Sequence, residues 1–339
     1  MSRTVTVGIV GLGRLGKRHA ENLSKRIPGI TLVAAASPVP SEREWAATNL
    51  DVAVYEDLPS LLRHPNLDAV WLVTPTSLHA EQSIQVLESG KHLFCEKPLS
   101  LDIVPCDRVI DIAKRHPKQI AMVGFMRRFD PAYAEVKRII ASGGLGTVFR
   151  IHCESHDPVD PDGFFVKFAP TSGGIFLDCA IHDIDLTRWM LDGRHPLRAT
   201  AHGTRIMYPG LGACNDVDTA AATIEFEGGV LATFHVSRTS YKGYEATMAV
   251  TGTAGALTCG RDLSELPLVR EERGCSTSRG QTDFFSRFND AFLCEASAFV
   301  EAIGTGHTTA STLEDAREAT HIAVAMRESL VSGTPVSLE

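Results

Sequence analysis

Gly11-Leu12-Gly13-Arg14-Leu15-Gly16 follows directly on the apolar run Val5 to Val10 and leads into a helical pattern from Lys17 to Leu23. No other stretch restricts the possible folds as strongly. A chain that turns tightly out of a buried strand into a helix needs glycine where side chains would block the turn. The same glycines let the backbone approach a pyrophosphate resting on the helix N-terminus. The G-x-G-x-x-G spacing is weak alone, but a strand before it and a helix after it make it a dinucleotide-binding signature. At the end of the second strand, where an acidic residue commonly bonds the adenosine ribose, the chain has Ala36-Ser37-Pro38. Ser37 removes a carboxylate that would repel a 2′-phosphate, and Arg14 or Arg43 can neutralise one, yet serine can also bond a ribose hydroxyl. The cofactor at this stage is NAD or NADP.

The first part of the chain continues to alternate short apolar runs with helical patterns, which predicts repeated βαβ units around a doubly wound parallel sheet. The expected strands are Thr4 to Val10, Ile30 to Ala36, Ala69 to Val73, His92 to Cys95 and Gln119 to Gly124. A helix carrying Ala80, Ile84 and Leu87 on one face closes at Gly90, a left-handed cap. After Gly124 the pattern changes, and the domain boundary is placed at 125/126, giving domains 1–125 and 126–339. Asp130-Pro131 opens a helix with Ala132, Val136, Ile139 and Ile140 on its apolar side. Strand-like segments then follow at Thr147 to Cys153, Thr219 to Phe226, Val230 to Val236 and Ala246 to Thr251, with Glu227-Gly228-Gly229 as a hairpin turn. This predicts an α+β half with a mainly antiparallel sheet. Asp157 to Gly174, rich in Asp, Pro and Gly but bearing Phe164, Phe165 and Phe168, reads as an ordered surface loop able to cover a site. Phe284, Phe285, Phe288, Phe292 and Phe299 include helical spacings and are expected in core or interface packing.

Composition narrows the partners. A chain of 339 residues exceeds what one core usually organises. The formal charge of -8 and the lack of a Lys/Arg run argue against nucleic acid, whose binding rests on clustered cations. Eight cysteines without C-x-x-C spacing imply neither a zinc knuckle nor a disulfide framework, and are read as reduced, mostly buried thiols. A first strand beginning by Thr4 leaves no room for a signal peptide, and no apolar stretch reaches the ~20 residues of a membrane span, so the expectation is a cytoplasmic protein with small-molecule partners.

Two further motifs bear chemistry. Glu96-Lys97-Pro98 stands at the end of the fourth expected strand, on the edge where open parallel sheets bind ligands, and the Lys97 ammonium can stabilise a developing alkoxide. Downstream, Gly173-Gly174-x-x-x-Asp178-x-x-x-His182 places a carboxylate and an imidazole four residues apart on one helix face, opposite Leu177, Ile181 and Ile184. A neutral imidazole suits removal of a hydroxyl proton near neutral pH, which makes His182 the expected base while a nicotinamide takes the hydride. Asp178 can orient the substrate or the imidazole. Each also has a structural alternative, a surface ion pair for Lys97 and a helical hydrogen bond for the Asp/His pair. Asp178, His182 and Asp185 at i, i+4 and i+7 raise the rival of metal binding, but no second ligand cluster accompanies them and the expectation is no metal. Arg127, Asp157 and Tyr244 are candidates to hydrogen-bond a polyol, and Thr74, Pro75 and His79 to shape the cofactor pocket.

Gly11 to Gly16, Thr74-Pro75-x-x-x-His79, Cys95-Glu96-Lys97-Pro98, Gly124-Phe125-Met126-Arg127-Arg128 and Gly173 to Asp185 occur in order, and with them the chain resembles the glucose-fructose oxidoreductase/inositol dehydrogenase (Gfo/Idh/MocA) family along nearly its whole length. Phe94 to Arg128 is most similar to myo-inositol 2-dehydrogenases. The resemblance implies a Rossmann domain followed by a domain with a large open-faced sheet, and homo-oligomers, dimers or tetramers, paired through such sheets. It also implies that Lys97, Asp178 and His182 match the catalytic lysine, aspartate and histidine. Cofactor contacts are expected from Gly11, Gly13, Arg14, Leu15, Gly16, Ser37, Thr74, Pro75, His79, Glu96 and Lys97, and substrate contacts from Lys97, Arg127, Asp157, Asp178, His182 and Tyr244. Ser37 departs from the acidic residue of many NAD-using members, and 155–172 fixes no substrate. The expected activity is NAD(P)-dependent oxidation of a ring hydroxyl of a cyclic polyol or sugar, inositol favoured, to a ketone. The alternatives are a biosynthetic dehydrogenase or reductase on a modified or nucleotide-linked sugar, and a cofactor-binding sensor without catalysis.

Overall fold

Near-continuous apolar runs give strands buried on both faces, and such strands require helices above and below. The computed structural model describes residues 4–260, 283–307 and 309–338. In it β1 (Val5–Val10), α1 (Arg14–Lys25), β2 (Ile30–Ala36), α2 (Pro40–Asn49), β3 (Ala53–Tyr55), α3 (Leu58–Leu62), β4 (Ala69–Leu72), α4 (Thr76–Glu88), β5 (His92–Glu96), α5 (Ile103–Arg115) and β6 (Ala121–Gly124) succeed one another. The six strands pair in parallel in the order β3-β2-β1-β4-β5-β6, a doubly wound sheet whose winding reverses between β1 and β4. The short edge strand β3 is absent from the sequence expectations because three half-buried residues carry no usable periodicity. Gly90, at φ +78°, follows α4 in the left-handed conformation expected of it.

The second sheet begins after α6 (Pro131–Ala141), whose first-turn N–H groups of Ala132 and Tyr133 are capped by the Asp130 carboxylate. Its buried face is Tyr133 and Val136, whereas Ala132, expected inside, is exposed. The Tyr133 hydroxyl donates to the Ala246 carbonyl, which explains how a residue with a polar tip takes the core position. Then come β7 (Val148–Pro158), α7 (Phe164–Ser172), a π turn at Phe176–Ala180, α8 (Ile181–Met190), β8 (Pro196–Thr204), β9 (Thr219–Phe226), β10 (Val230–Ser240), β11 (Glu245–Gly252), β12 (Gly255–Cys259), α9 (Phe284–Thr305), α10 (Leu313–Ser332) and β13 (Val336–Ser337). The seven-stranded order is β12-β11-β7-β10-β9-β8-β13, antiparallel except for β7 beside β10. Gly228 and Gly229, both at positive φ, form the expected turn between β9 and β10.

Two expectations need correction here. The segment Asp157 to Gly174 is not all loop, since Phe164–Ser172 is a helix bounded by Gly163 and Gly173, both left-handed, with Phe164 stacked on Phe168 one turn later. The domain division also differs: the compact units are Met1–Phe129 with Asp290–Glu318, and Asp130–Asn289 with Ala319–Glu339. The chain returns to the first unit because Ala296 and Phe299 of α9 complete its core, where Phe299 meets the stacked rings of Trp71 and Phe94 edge-on. Backbone angles break from helical at Phe288, so α9 is two helices joined at a kink. Among the described cysteines, Cys95, Cys106 and Cys153 are buried, but Cys214 and Cys294 are exposed, and all are free thiols; Cys275 lies outside the described residues. No single helix among the described residues is long and apolar enough to cross a membrane.

Candidate active site

In the first unit the expected cofactor residues lie on or just beyond the carboxyl ends of strands, except His79, which is carried by α4. Gly11 turns at φ +93°, and a Cβ there would meet the Val73 carbonyl oxygen at 2.3 Å. A Cβ on Gly16 would lie 2.0 Å from the Gly11 carbonyl oxygen, so both positions exclude any side chain. At Gly13 the opposite holds: nothing lies within 4 Å of the added atom, and the exposed backbone borders open space. Gly13 is also the N-cap of α1, with no side-chain cap and no acidic residue in the first turn. The first-turn N–H groups of Arg14, Leu15 and Gly16 thus suit a phosphate of a dinucleotide.

Around this cradle the strand ends are tied together. His79, buried in α4, places one ring nitrogen 2.7 Å from the Thr74 carbonyl oxygen and the other 2.7 Å from that of Pro98. Burial pushes its imidazole below the usual histidine range, against the pull of those carbonyls and of Glu96. The Thr74 hydroxyl donates to Gln82, while Pro75 is exposed. Glu96, buried at the end of β5, pairs with His19 of α1 at 2.8 Å and accepts the Lys97 backbone N–H at 3.1 Å. Lys97 itself is half-buried. Beyond β6, in a 3₁₀ turn at Met126–Phe129, Arg127 is buried and Arg128 binds the Ala310 carbonyl and Asp315. Sequence reasoning missed Glu295 of α9, which is fully buried and has neither carboxylate oxygen hydrogen-bonded among the described residues. Burial first, and then the neighbouring Glu96, raise its pKa well above the ordinary carboxylate range.

The second unit brings together a different group. Gly173 and Gly174 both take positive φ, at +78° and +89°. A Cβ on Gly174 would press to 3.2 Å from Asp216 Oδ1, which accepts the Ile175 N–H at 2.9 Å. The chain then enters the π turn holding Asp178 and Cys179, and His182 stands buried in the first turn of α8. The expected regular helix spanning Asp178 and His182 is therefore a π turn running into an α-helix, an irregularity often found at functional sites. Asp178 Oδ2 accepts from Arg238 Nη2 at 3.1 Å, and the other end of that guanidinium donates to Asp216 at 2.9 Å. Arg238, fully buried near the end of β10, lies 5.2 Å from the Phe165 ring centroid. Asp157, near the end of β7, accepts from the Cys179 thiol at 3.3 Å. Removal from water and the carboxylates of Asp157 and Asp178 push that thiol well up, so it remains protonated. Tyr244 packs its ring against Phe284 and Phe288. With Asp178 engaged by arginine, no group of three or more His, Cys, Asp or Glu among the described residues is arranged to hold a metal.

Arg238 and Asp216 carried no motif, and the one available signal was an arginine inside an apolar strand pattern. Residues 5–125 match an oxidoreductase family with an NAD-binding Rossmann fold, and residues 133–258 match the GFO/IDH/MocA C-terminal domain. The chain is 36% identical over 340 residues to scyllo-inositol 2-dehydrogenase (NAD(+)) of Bacillus subtilis (strain 168), covering 100% of this chain and 98% of that protein. It is 33% identical over 334 residues to myo-inositol 2-dehydrogenase of Thermotoga maritima, with 98% of each covered. The crystal structure of scyllo-inositol dehydrogenase from Lactobacillus casei with bound cofactor NAD(H) and scyllo-inositol superposes with a TM-score of 0.91 at 35% identity, covering 99% of both chains.

Proposed function

This chain belongs to the GFO/IDH/MocA oxidoreductase family, and from that premise we propose that it oxidises a ring hydroxyl of a cyclic polyol, inositol foremost, to the ketone. It is a dehydrogenase acting on CH–OH groups with a nicotinamide dinucleotide. The observation that carries the substrate reading is full-length similarity to proteins named for inositol oxidation, in a chain that has Lys97, Asp178 and His182 at its motif positions.

When bound, the nicotinamide supplies the hydride acceptor. The chain supplies the proton chemistry: His182 takes the hydroxyl proton, since an imidazole titrates close to neutral pH. Lys97 stabilises negative charge developing on the substrate oxygen. Asp178, steadied by Arg238, orients the hydroxyl or the imidazole. Arg127, Asp157 and Tyr244 serve as further polyol contacts, because a ring bearing many hydroxyls is fixed in one orientation only by several directional partners. The reading extends to a homo-oligomer, dimer or tetramer. On the half-exposed face of the seven-stranded sheet His152, Glu154, Thr233 and His235 stand side by side with exposed Leu231, and sedimentation velocity reads the assembly.

The test is nicotinamide absorbance across inositols, monosaccharides and anhydrosugars, with NAD and NADP in parallel. Turnover is expected on scyllo- or myo-inositol, falling by about 10²–10⁴ in His182→Ala. Unchanged turnover in that variant would remove the proposed base. Silence on every polyol with cofactor binding intact would sink the inositol reading in favour of a modified or nucleotide-linked sugar.

A further inference from the structure

Ser37 occupies the position from which an acidic side chain commonly receives the adenosine ribose, but in this structure it does not stand alone. It is buried, its backbone N–H donates to the Tyr55 carbonyl, and its hydroxyl accepts the Val39 N–H at 3.1 Å. That hydroxyl in turn donates to Glu42 Oε2 at 2.5 Å. Glu42 lies in the first turn of α2, half-buried, and its second oxygen has no partner among the described residues. The chain has thus displaced the carboxylate by five residues and recovered it at the strand end through a serine bridge.

The adjacent cation is engaged elsewhere. Arg43 Nη1 donates to the Ser37 carbonyl oxygen at 2.8 Å and Nη2 to Glu56 at 3.1 Å, so its charge faces a carbonyl and a carboxylate already present. A 2′-phosphate brought here meets the Glu42 charge and gains an arginine only by breaking both bonds. A ribose 2′-hydroxyl instead finds an acceptor with a free lone pair, and a hydrogen bond to an ionised acceptor is among the stronger kinds.

We propose that Glu42, positioned by Ser37, is the residue that receives the adenosine ribose diol and makes this chain select NAD over NADP. The inference rests on the dinucleotide reading of the first unit but not on any particular substrate. Equilibrium binding of NADH and NADPH to the full chain, followed by cofactor fluorescence, tests it without turnover.

The unaltered protein should bind NADH more tightly. Glu42→Gln, with Glu42→Ala as a second variant, should weaken NADH about tenfold while strengthening NADPH. Ser37→Ala should move the same ratio in the same direction by less, since it frees the carboxylate without removing it. Equal changes in both affinities, or none, would overturn the proposal while leaving the dinucleotide reading intact. A native preference for NADPH that Arg43→Ala abolishes would overturn it in favour of phosphate capture. Failure of the unaltered protein to bind either cofactor would overturn both together.

Discussion

Between Gly11 and Gly16 the first unit shapes a ligand surface from consecutive backbone, whereas in the second unit Asp157, Asp178, Asp216 and Arg238 arrive from four separate places: β7, the π turn, the approach to β9, and β10. The first surface is set by which side chains are missing, and the second by charges that have to meet. They should fail differently when altered. A defect in the cradle is steric and local, while a defect in the charge network strands its remaining members in a poorly solvated place.

The largest expected effect comes from Gly16→Ala, whose Cβ would lie 2.0 Å from a carbonyl oxygen that has nowhere to go. We expect a loss of about 4 kcal/mol or more in denaturant unfolding, at the upper end of single substitutions. Gly13→Ala sharpens the contrast, because its Cβ enters open space: stability should hold while NADH affinity falls. Measured alike in both assays, the two glycines would break the distinction between shape and approach.

Next is Arg238→Met, which leaves Asp178 and buried Asp216 without their shared cation. The expected cost is about 3–5 kcal/mol, with cofactor affinity in the first unit unchanged. A drop of less than about 1 kcal/mol would show that the pair of carboxylates is satisfied without the guanidinium.

Glu295→Gln runs in the other direction. The folded chain keeps the Glu295 proton well above the ordinary value of 4.5, whereas the unfolded chain releases it there. Stability is therefore lost progressively as pH rises from that value towards the folded pKa. Glutamine removes this loss, so urea unfolding should show a stabilised variant at pH 8, with the gain shrinking towards pH 5. A gap that widens on acidification would mean the acid is ionised in the fold. The smallest effect expected is Tyr133→Phe, at about 1 kcal/mol for a single buried hydrogen bond to the Ala246 carbonyl.

The same contrast explains what could be read before the structure. The parallel sheet, the glycine loop and Glu96-Lys97-Pro98 were legible because each depends on neighbours in sequence, and apolar runs buried on both faces leave a clear mark. The sequence pattern carries strand β7 only as far as Cys153, since its continuation through Ser155 and Asp157 is polar. The π turn was hidden for a related reason: four-residue spacing looks the same whether the turn holds 3.6 residues or more. Asp216 and Glu295 were not legible, and Arg238 left only the trace of an arginine in an apolar strand, because each takes its meaning from residues far away in sequence; Glu42 stood close to Ser37 but carried no motif to mark it.

The return of α9 to the first unit bears on how the protein is made. A nascent chain that has emitted all six parallel strands still lacks Ala296 and Phe299, which close the hydrophobic core around Trp71 and Phe94. At translation speeds of about 5–20 residues per second, that interval is on the order of ten seconds or more. For that time the nucleotide fold waits on the ribosome with an aromatic face uncovered, so truncation before Phe299 should yield an aggregating fragment rather than a smaller binding domain.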